Sequence, residues 1–234
     1  MKKILKTLLK RFTIVGFNFN HRVDWVKSIC QSIPSGSSVI DVGAGGGPFK
    51  KFLAHCEYKS QDFCALSDVQ LEEGGYSSID FVSDITSIPV ESNSFDYVLC
   101  TEVLEHVPNP VDALREMTRI LKKGGTLILT APLGSGLHQE PYHFYGGYTP
   151  HFYIHHLNLL GFSNIIIKPN MGTISHFGQM SLEVNFILFK DKKFFVIAIL
   201  LFPTTIIFNL IAGILDNIIK DYRFTVGYFV KAEK

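Results

Sequence analysis

Val39-Ile40-Asp41-Val42-Gly43-Ala44-Gly45-Gly46-Gly47 is the stretch on which the fold turns. A short β-branched, apolar run ends in an acid and passes straight into glycines, and a helix is expected to follow over Phe49–His55. Glycines at such a place let the backbone adopt dihedrals closed to other residues and approach a ligand closely. The glycines alone do not separate a dinucleotide site from other nucleoside sites. Two acids narrow the choice. Asp41 stands just before the loop, where it repels a pyrophosphate and welcomes an ammonium. Asp62 lies 21 positions further on, at the end of the next stretch, which is expected to be apolar, and there a carboxylate can accept both ribose hydroxyls. Together they favour a nucleoside cofactor without phosphates.

Outward from the loop, strand-like and helix-like segments alternate. Ser38–Val42, Phe95–Cys100, Thr126–Thr130, Asn164–Lys168 and Phe224–Lys231 read as strands. Val23–Ile33, Phe49–His55, Pro110–Leu121 and Pro150–Leu160 read as helices, and Lys122-Lys123-Gly124-Gly125 reads as a helix stop followed by a turn. This alternation argues for a mostly parallel sheet covered on both faces. No internal repeat or low-complexity linker interrupts it.

The segments resemble, in order and spacing, those of the class I S-adenosylmethionine-dependent methyltransferases of the small-molecule branch. The resemblance runs from about Ser38 to Phe162. It rests on D-V-G-A-G-G-G from Asp41, Gln61-Asp62-Phe63, Asp84-Ile85, Phe95-Asp96-Tyr97-Val98, Glu102-Val103-Leu104-Glu105-His106-Val107 and Leu121-Lys122-Lys123-Gly124-Gly125. It implies an α/β fold: a Rossmann-like, seven-stranded, mostly parallel sheet with helices on both faces and an antiparallel last strand. It also implies S-adenosylmethionine as the cofactor. Gly43, Ala44, Gly45 and Gly47 would pass under its methionine portion, with Asp41 near the amino group. Asp62 would hold the ribose, Asp84 the adenine amine, and Ile85 and Phe63 would pack on the ring. Thr101 and Glu102 would wall the cleft near the sulfonium. For each acid, a helix cap or a solvated loop charge is the plainer alternative.

Transfer from a sulfonium is an in-line displacement, so the protein mostly positions the acceptor and helps remove a proton. His106, after the Phe95–Cys100 strand, is the first candidate for a base or an orienting group. A second concentration, from His138 to Pro150, follows the Thr126–Thr130 strand, where α/β folds place active-site loops. In it His143 is a further catalytic candidate, and His138, Tyr142 and Tyr145 are candidates for substrate contact. Its histidines, rings and paired glycines suit a sugar or another hydroxylated acceptor. Similar segments occur in relatives associated with cell-surface glycan biosynthesis, so the resemblance implies a glycan or its lipid-linked precursor. A prenyl-quinone or lipid methyltransferase, and a non-catalytic protein that binds the same cofactor, are the rival readings. No metal is expected: His151, His155 and His156 share a helix without an accompanying Asp or Cys, which reads as a partly exposed face.

The composition carries one anomaly. Of 234 residues 47% are hydrophobic and only 18% charged, where about 25% is usual. This excludes a disordered chain, and a net charge of +1 offers no global field for nucleic acid. The excess is local. Phe194–Leu215 carries no charge, is bracketed by Lys190, Lys192, Lys193, Lys220 and Arg223, and is long enough to span a bilayer. Pro203, Thr204, Thr205 and Asn209 predict two short helices there. Near the start, Ile4, Leu5, Leu8, Leu9 and Phe12 fall on one helical face, within an arc of about 140°, opposite Lys2, Lys3, Lys6 and Lys10.

The expected organisation is a basic amphipathic helix over 1–20 and one methyltransferase domain over 21–234, with an apolar helical insertion at about 194–219. A single crossing by that insertion would strand the last strand on the far side of the membrane. Peripheral contact with the inner membrane face is therefore expected of a cytoplasmic protein, a lid or a homodimer interface being the other uses of such a segment. The widely spaced Cys30, Cys56, Cys64 and Cys100 fit a reducing compartment, and the start does not read as a secretory signal.

Overall fold

In the computed structural model, residues 17–71 and 75–234 are described. The basic helix expected over 1–20 therefore lies outside the described residues, except for its last four. Two compact units are present. One comprises Trp25–Lys168 with Gly227–Lys234, the other Pro169–Val226 with the described residues up to Asp24.

The larger unit is built on a seven-stranded sheet of order β3-β2-β1-β4-β5-β7-β6. The strands are β1 (Ser38–Val42), β2 (Glu57–Asp62), β3 (Phe81–Val82), β4 (Phe95–Thr101), β5 (Leu121–Pro132), β6 (Ser163–Pro169) and β7 (Gly227–Glu233). β1, β2, β3, β4 and β5 pair in parallel, and β7 runs antiparallel to β5. The expected Rossmann-like sheet with its antiparallel last strand is thus present. Central strands buried on both faces need continuous apolar runs. Val39, Ile40, Val42, Val98, Leu99, Cys100, Leu127, Ile128 and Leu129 supply them, each at most 1% exposed.

Three α-helices accompany this sheet: α1 (Phe17–Ser32, which begins in the smaller unit), α2 (Pro110–Ile120) and α3 (Pro150–Leu159). α2 starts with proline at its first position, and its buried Ala113, Leu114, Met117 and Ile120 recur at helical spacing. Each such large side chain contributes about 1.5–3 kcal/mol on burial. In α3 the Thr149 side chain caps the Phe152 amide.

Four expectations are corrected here. The helix over Phe49–His55 is only a 3-10 turn at Lys50–Phe52. The eight residues between Pro48 and the strand that starts at Glu57 leave no room for a stable α-helix. The stretch before Asp62 is not apolar. Glu57-Tyr58-Lys59-Ser60-Gln61-Asp62 is a polar strand whose inner residues donate to residues further along the chain, among them Gln61 Nε2 to the Ser83 carbonyl at 2.7 Å. The last strand begins at Gly227, not Phe224, because Phe224 is more than half exposed and belongs to the smaller unit. Lys122–Gly125 ends α2 as expected but then bulges within β5, whose register against β4 jumps from Phe95–Leu121 to Tyr97–Thr126.

The smaller unit is dominated by an antiparallel helical pair, α4 (Thr173–Lys190) and α5 (Phe195–Ile219), joined by a four-residue turn. α5 is one continuous helix, not two, and it is long and apolar enough to cross a membrane. Pro203 sits on its exposed side, and the Thr204 and Thr205 hydroxyls donate back to the Leu201 and Phe202 carbonyls. α4 was not marked in the sequence, because its apolar residues are interspersed with Asn, Gln, Glu and Ser.

Candidate active site

The glycine loop leaves β1 at the carboxyl edge of the sheet, where open α/β folds bind ligands. It is pinned to the neighbouring strand by its own backbone: the Gly43 and Ala44 amides both donate to the Gln61 carbonyl, at 2.9 and 3.0 Å. Gly43, Gly45 and Gly47 all have positive φ, at 72°, 51° and 67°. Their reasons differ. A Cβ on Gly43 would lie 2.3 Å from Val103 Cγ2, so this glycine admits the packed Val103 side chain. A Cβ on Gly45 would meet nothing nearer than 3.7 Å, so that position is demanded by the turn and leaves its surface open to a ligand.

Asp62, buried at the end of β2, locks the same loop. Its Oδ2 accepts from the Gly45 amide at 2.9 Å and its Oδ1 from the Cys64 amide at 3.0 Å. The Tyr76 hydroxyl also reaches this carboxylate, and an ionised carboxylate, with about four acceptor sites, retains capacity beyond these three donors. Asp41 is buried in β1, where the Tyr58 hydroxyl donates to it at 3.2 Å. Phe63 is 40% exposed and meets Tyr142 edge-on, centroids 5.2 Å apart, so an apolar wall stands beside Asp62. Asp84 is exposed, and its Oδ1 caps the Thr86 amide and hydroxyl. Ile85 packs half-buried against the core. Glu102, at φ 54°, follows Thr101, and its Oε1 accepts from the Thr130 hydroxyl at 2.8 Å.

The segment after β5 folds back over the end of β4. The Phe144 and Tyr145 amides donate to the Glu105 carbonyl, the Tyr145 hydroxyl to the Pro108 carbonyl, and the Tyr148 hydroxyl to the Leu104 carbonyl. This brings three histidines from two segments together. His138 and His143 have ring centroids 4.8 and 5.7 Å from that of His106, and 4.5 Å from each other.

His106 Nδ1 lies 2.7 Å from the Tyr142 carbonyl, which only accepts, so Nδ1 carries the proton and Nε2 presents a lone pair. His138 is fixed the same way by the Gly136 carbonyl at 2.9 Å. Burial first, then the neighbouring histidines, pushes His106 down to about 4, so the ring is neutral at physiological pH. His143 is lowered too, first by burial and then by His138.

Two residues of this region were not singled out as site residues from the sequence. Glu105, 1% exposed, places Oε1 3.8 Å from His106 Nε2, and ligand atoms of Glu105, His106 and His138 lie within 4.8 Å of one another. Glu105 lies within the Glu102–Val107 segment that carries the family resemblance, beside His106. Tyr153 is fully buried on α3, its hydroxyl lacks a hydrogen-bond partner, and burial raises its pKa. Nothing in an aromatic helical position announces that. His151 and His155 lie exposed on α3 and His156 half-buried, apart from the Glu105–His106–His138 group.

Residues 40–129 match the family described as "Methyltransferase domain". Over these residues the chain is similar to a class I methyltransferase domain. The chain is 26% identical over 54% of its length to a demethylmenaquinone methyltransferase of Bacillus pumilus, of which 58% is covered. It is 31% identical over 44% of the chain to a ubiquinone biosynthesis O-methyltransferase of Ralstonia nicotianae, of which 46% is covered. The chain thus spans about half the length of these curated relatives. Among solved structures, the methyltransferase fold is shared with phosphoethanolamine N-methyltransferase 2 of Haemonchus contortus in complex with S-adenosyl-L-methionine. The TM-score is 0.55 at 19% identity, covering 97% of this chain and 59% of that one.

Proposed function

We propose that the protein transfers a methyl group from S-adenosylmethionine to a hydroxyl or amine of a small acceptor. The observation that carries this reading is the pairing of a positive-φ glycine loop with Asp62, whose carboxylate is oriented by the Gly45 and Cys64 amides. The cofactor supplies an electrophilic methyl on a sulfonium. The residues around it bind and orient. Asp62 offers its remaining acceptor capacity to the ribose, Phe63 and Ile85 flank the adenine, and Asp84 takes its amine through the oxygen left by the Thr86 cap. Asp41 and the loop from Gly43 to Gly47 face the methionine portion, and Thr101 and Glu102 line the cleft beside the sulfonium.

His106 orients the acceptor. Its neutral Nε2 accepts a hydrogen bond from the acceptor's O–H or N–H and holds the nucleophile's lone pair toward the methyl. A ring with so low a pKa is a weak proton store, so the released proton passes on to His143, His138 or water. Tyr142 and Tyr145 provide the ring-lined side of the acceptor pocket.

For the acceptor, a lipid-carried molecule fits best. The apolar α4–α5 pair favours a hydrophobic carrier, and the polar, histidine-rich wall favours a hydroxylated head such as a sugar of a glycan precursor. A second reading, a prenyl-quinone ring, draws support from the quinone-pathway names of the relatives. The four cysteines are free, in keeping with work in the cytoplasm.

The decisive experiment is mass spectrometry of products from the full chain, S-adenosylmethionine and two extracts, lipid-linked saccharides and demethylated quinones. A gain of one methyl in either identifies the acceptor. Calorimetric binding of the cofactor with no methylation in any extract would favour a non-catalytic binding protein.

A further inference from the structure

The α4–α5 hairpin has its polar groups inside and its apolar groups outside. Along the seam, Asp216 accepts the Gly172, Ile174 and Ser175 amides at 2.9, 3.1 and 2.9 Å, and Asn209 donates to the Gly178 carbonyl at 2.7 Å. Asn185, with its amide turned to satisfy both contacts, bridges the Ala198 carbonyl and the Phe202 amide. Small residues let the backbones approach: a Cβ on Gly178 would sit 2.9 Å from Asn209 Oδ1 and 3.3 Å from the Ala212 methyl. Small seam residues and interhelical amides are what helices use to associate in lipid, where apolar surface drives nothing together.

Outside the seam, α5 exposes Ile199, Leu200, Ile207, Leu210, Ile211 and Ile214 on the face away from α4, with Thr204 and Asn217 the polar side chains among them. α4 is two-sided. Gln179, Glu183 and Lys190 form a polar stripe, whereas Phe177, Met180, Val184 and Leu188 face an apolar groove of about 460 Å³ completed by Leu201 and Phe208 of α5. Lysines stand at both ends, Lys190, Lys192 and Lys193 at the turn and Lys220 after α5.

We infer that this hairpin lies in the plane of a bilayer interface, with α5 and the groove in the acyl region, the α4 polar stripe toward water and the end lysines on anionic headgroups. A spanning hairpin is disfavoured. It would put Glu183, ten residues into α4, near the bilayer centre and carry three turn lysines across. In-plane insertion also returns the chain to the side it left, as β7 requires. The charged ends and the broad, mostly apolar exterior of α5 favour lipid over a second copy, whose flat contact would leave part of that exterior in water.

The test is flotation of the purified full chain with phosphatidylglycerol and with phosphatidylcholine vesicles, beside the Ile207→Asp/Ile211→Asp/Ile214→Asp and Lys192→Glu/Lys193→Glu variants. These positions are exposed, so the seam stays intact. The wild-type chain is expected to float, the triple variant to lose at least tenfold, and the lysine variant to lose binding on phosphatidylglycerol vesicles alone. Trypsin added outside sealed vesicles should cut at the turn lysines. A wild-type chain that stays at the bottom, or one whose dimer the triple variant dissociates, would overturn the inference. So would turn lysines protected until detergent is added. S-adenosylmethionine binding, measured by calorimetry on the same samples, reports separately on the methyltransferase reading.

Discussion

The Gly45 amide donates to Asp62 Oδ2 at 2.9 Å, tying the glycine loop after β1 to the carboxylate that ends β2. One side chain thereby shapes the loop and faces the ligand. Asp62→Ala removes a charge-assisted hydrogen bond worth about 1.5–3 kcal/mol, so S-adenosylmethionine affinity is expected to fall roughly 10- to 100-fold or more by calorimetry. Asp62→Asn, which keeps one acceptor oxygen, should lose less. Unchanged affinity in Asp62→Ala would remove Asp62 from the cofactor site.

Gly43 makes a different prediction because its constraint is packing. An alanine there combines a positive φ with a Cβ 2.3 Å from Val103 Cγ2, and should destabilise the chain by about 3 kcal/mol. Val103→Ala in the same chain relieves the clash but not the dihedral strain. The double variant should therefore recover part of the loss in urea denaturation. Full recovery would mean that the backbone carries no strain there.

Asp216 holds the start of α4 from a distant turn of α5. Asp216→Ala leaves three amides without their acceptor and should lower the stability of the smaller unit by about 3 kcal/mol or more, read by limited proteolysis and thermal unfolding. Asp216→Asn should fall between the two. Equal protease resistance in Asp216→Ala would show that the helical pair is held by its apolar seam alone.

The parts of this fold legible in the sequence are those where local chemistry and tertiary role agree. The β1 run, the glycines and α2 with its proline start announce themselves. β2 does not, because Ser60 and Gln61 are buried polar residues that donate hydrogen bonds to carbonyls about 20 positions away. Pro203, costly in a helix interior, predicts a break in α5, yet the helix runs through it on its exposed side, with the Thr204 and Thr205 hydroxyls donating to backbone carbonyls beside it. In the site, the residues of the glycine loop and Asp62 were legible from spacing. The meeting of His106 with His138 and His143 rests on how the 133–149 segment folds back, and no periodicity encodes that.

His106 ties the site to pH. Its folded pKa, about 4, lies below the ordinary value of 6.5. Between these limits the unfolded chain takes up a proton that the folded ring refuses, so this histidine makes stability fall as pH drops from 6.5 to 4 and adds no further slope below. His106→Gln should flatten urea-derived stability across that window. Its turnover should fall at least tenfold while cofactor affinity changes little, since the ring addresses the acceptor. In the wild type, Nε2 stays unprotonated through neutral pH, so no acid limb near 6.5 should arise from His106. A limb that is near 6.5 in the wild type and absent in His106→Gln would mean that the ring titrates as an ordinary exposed histidine and serves as the base itself.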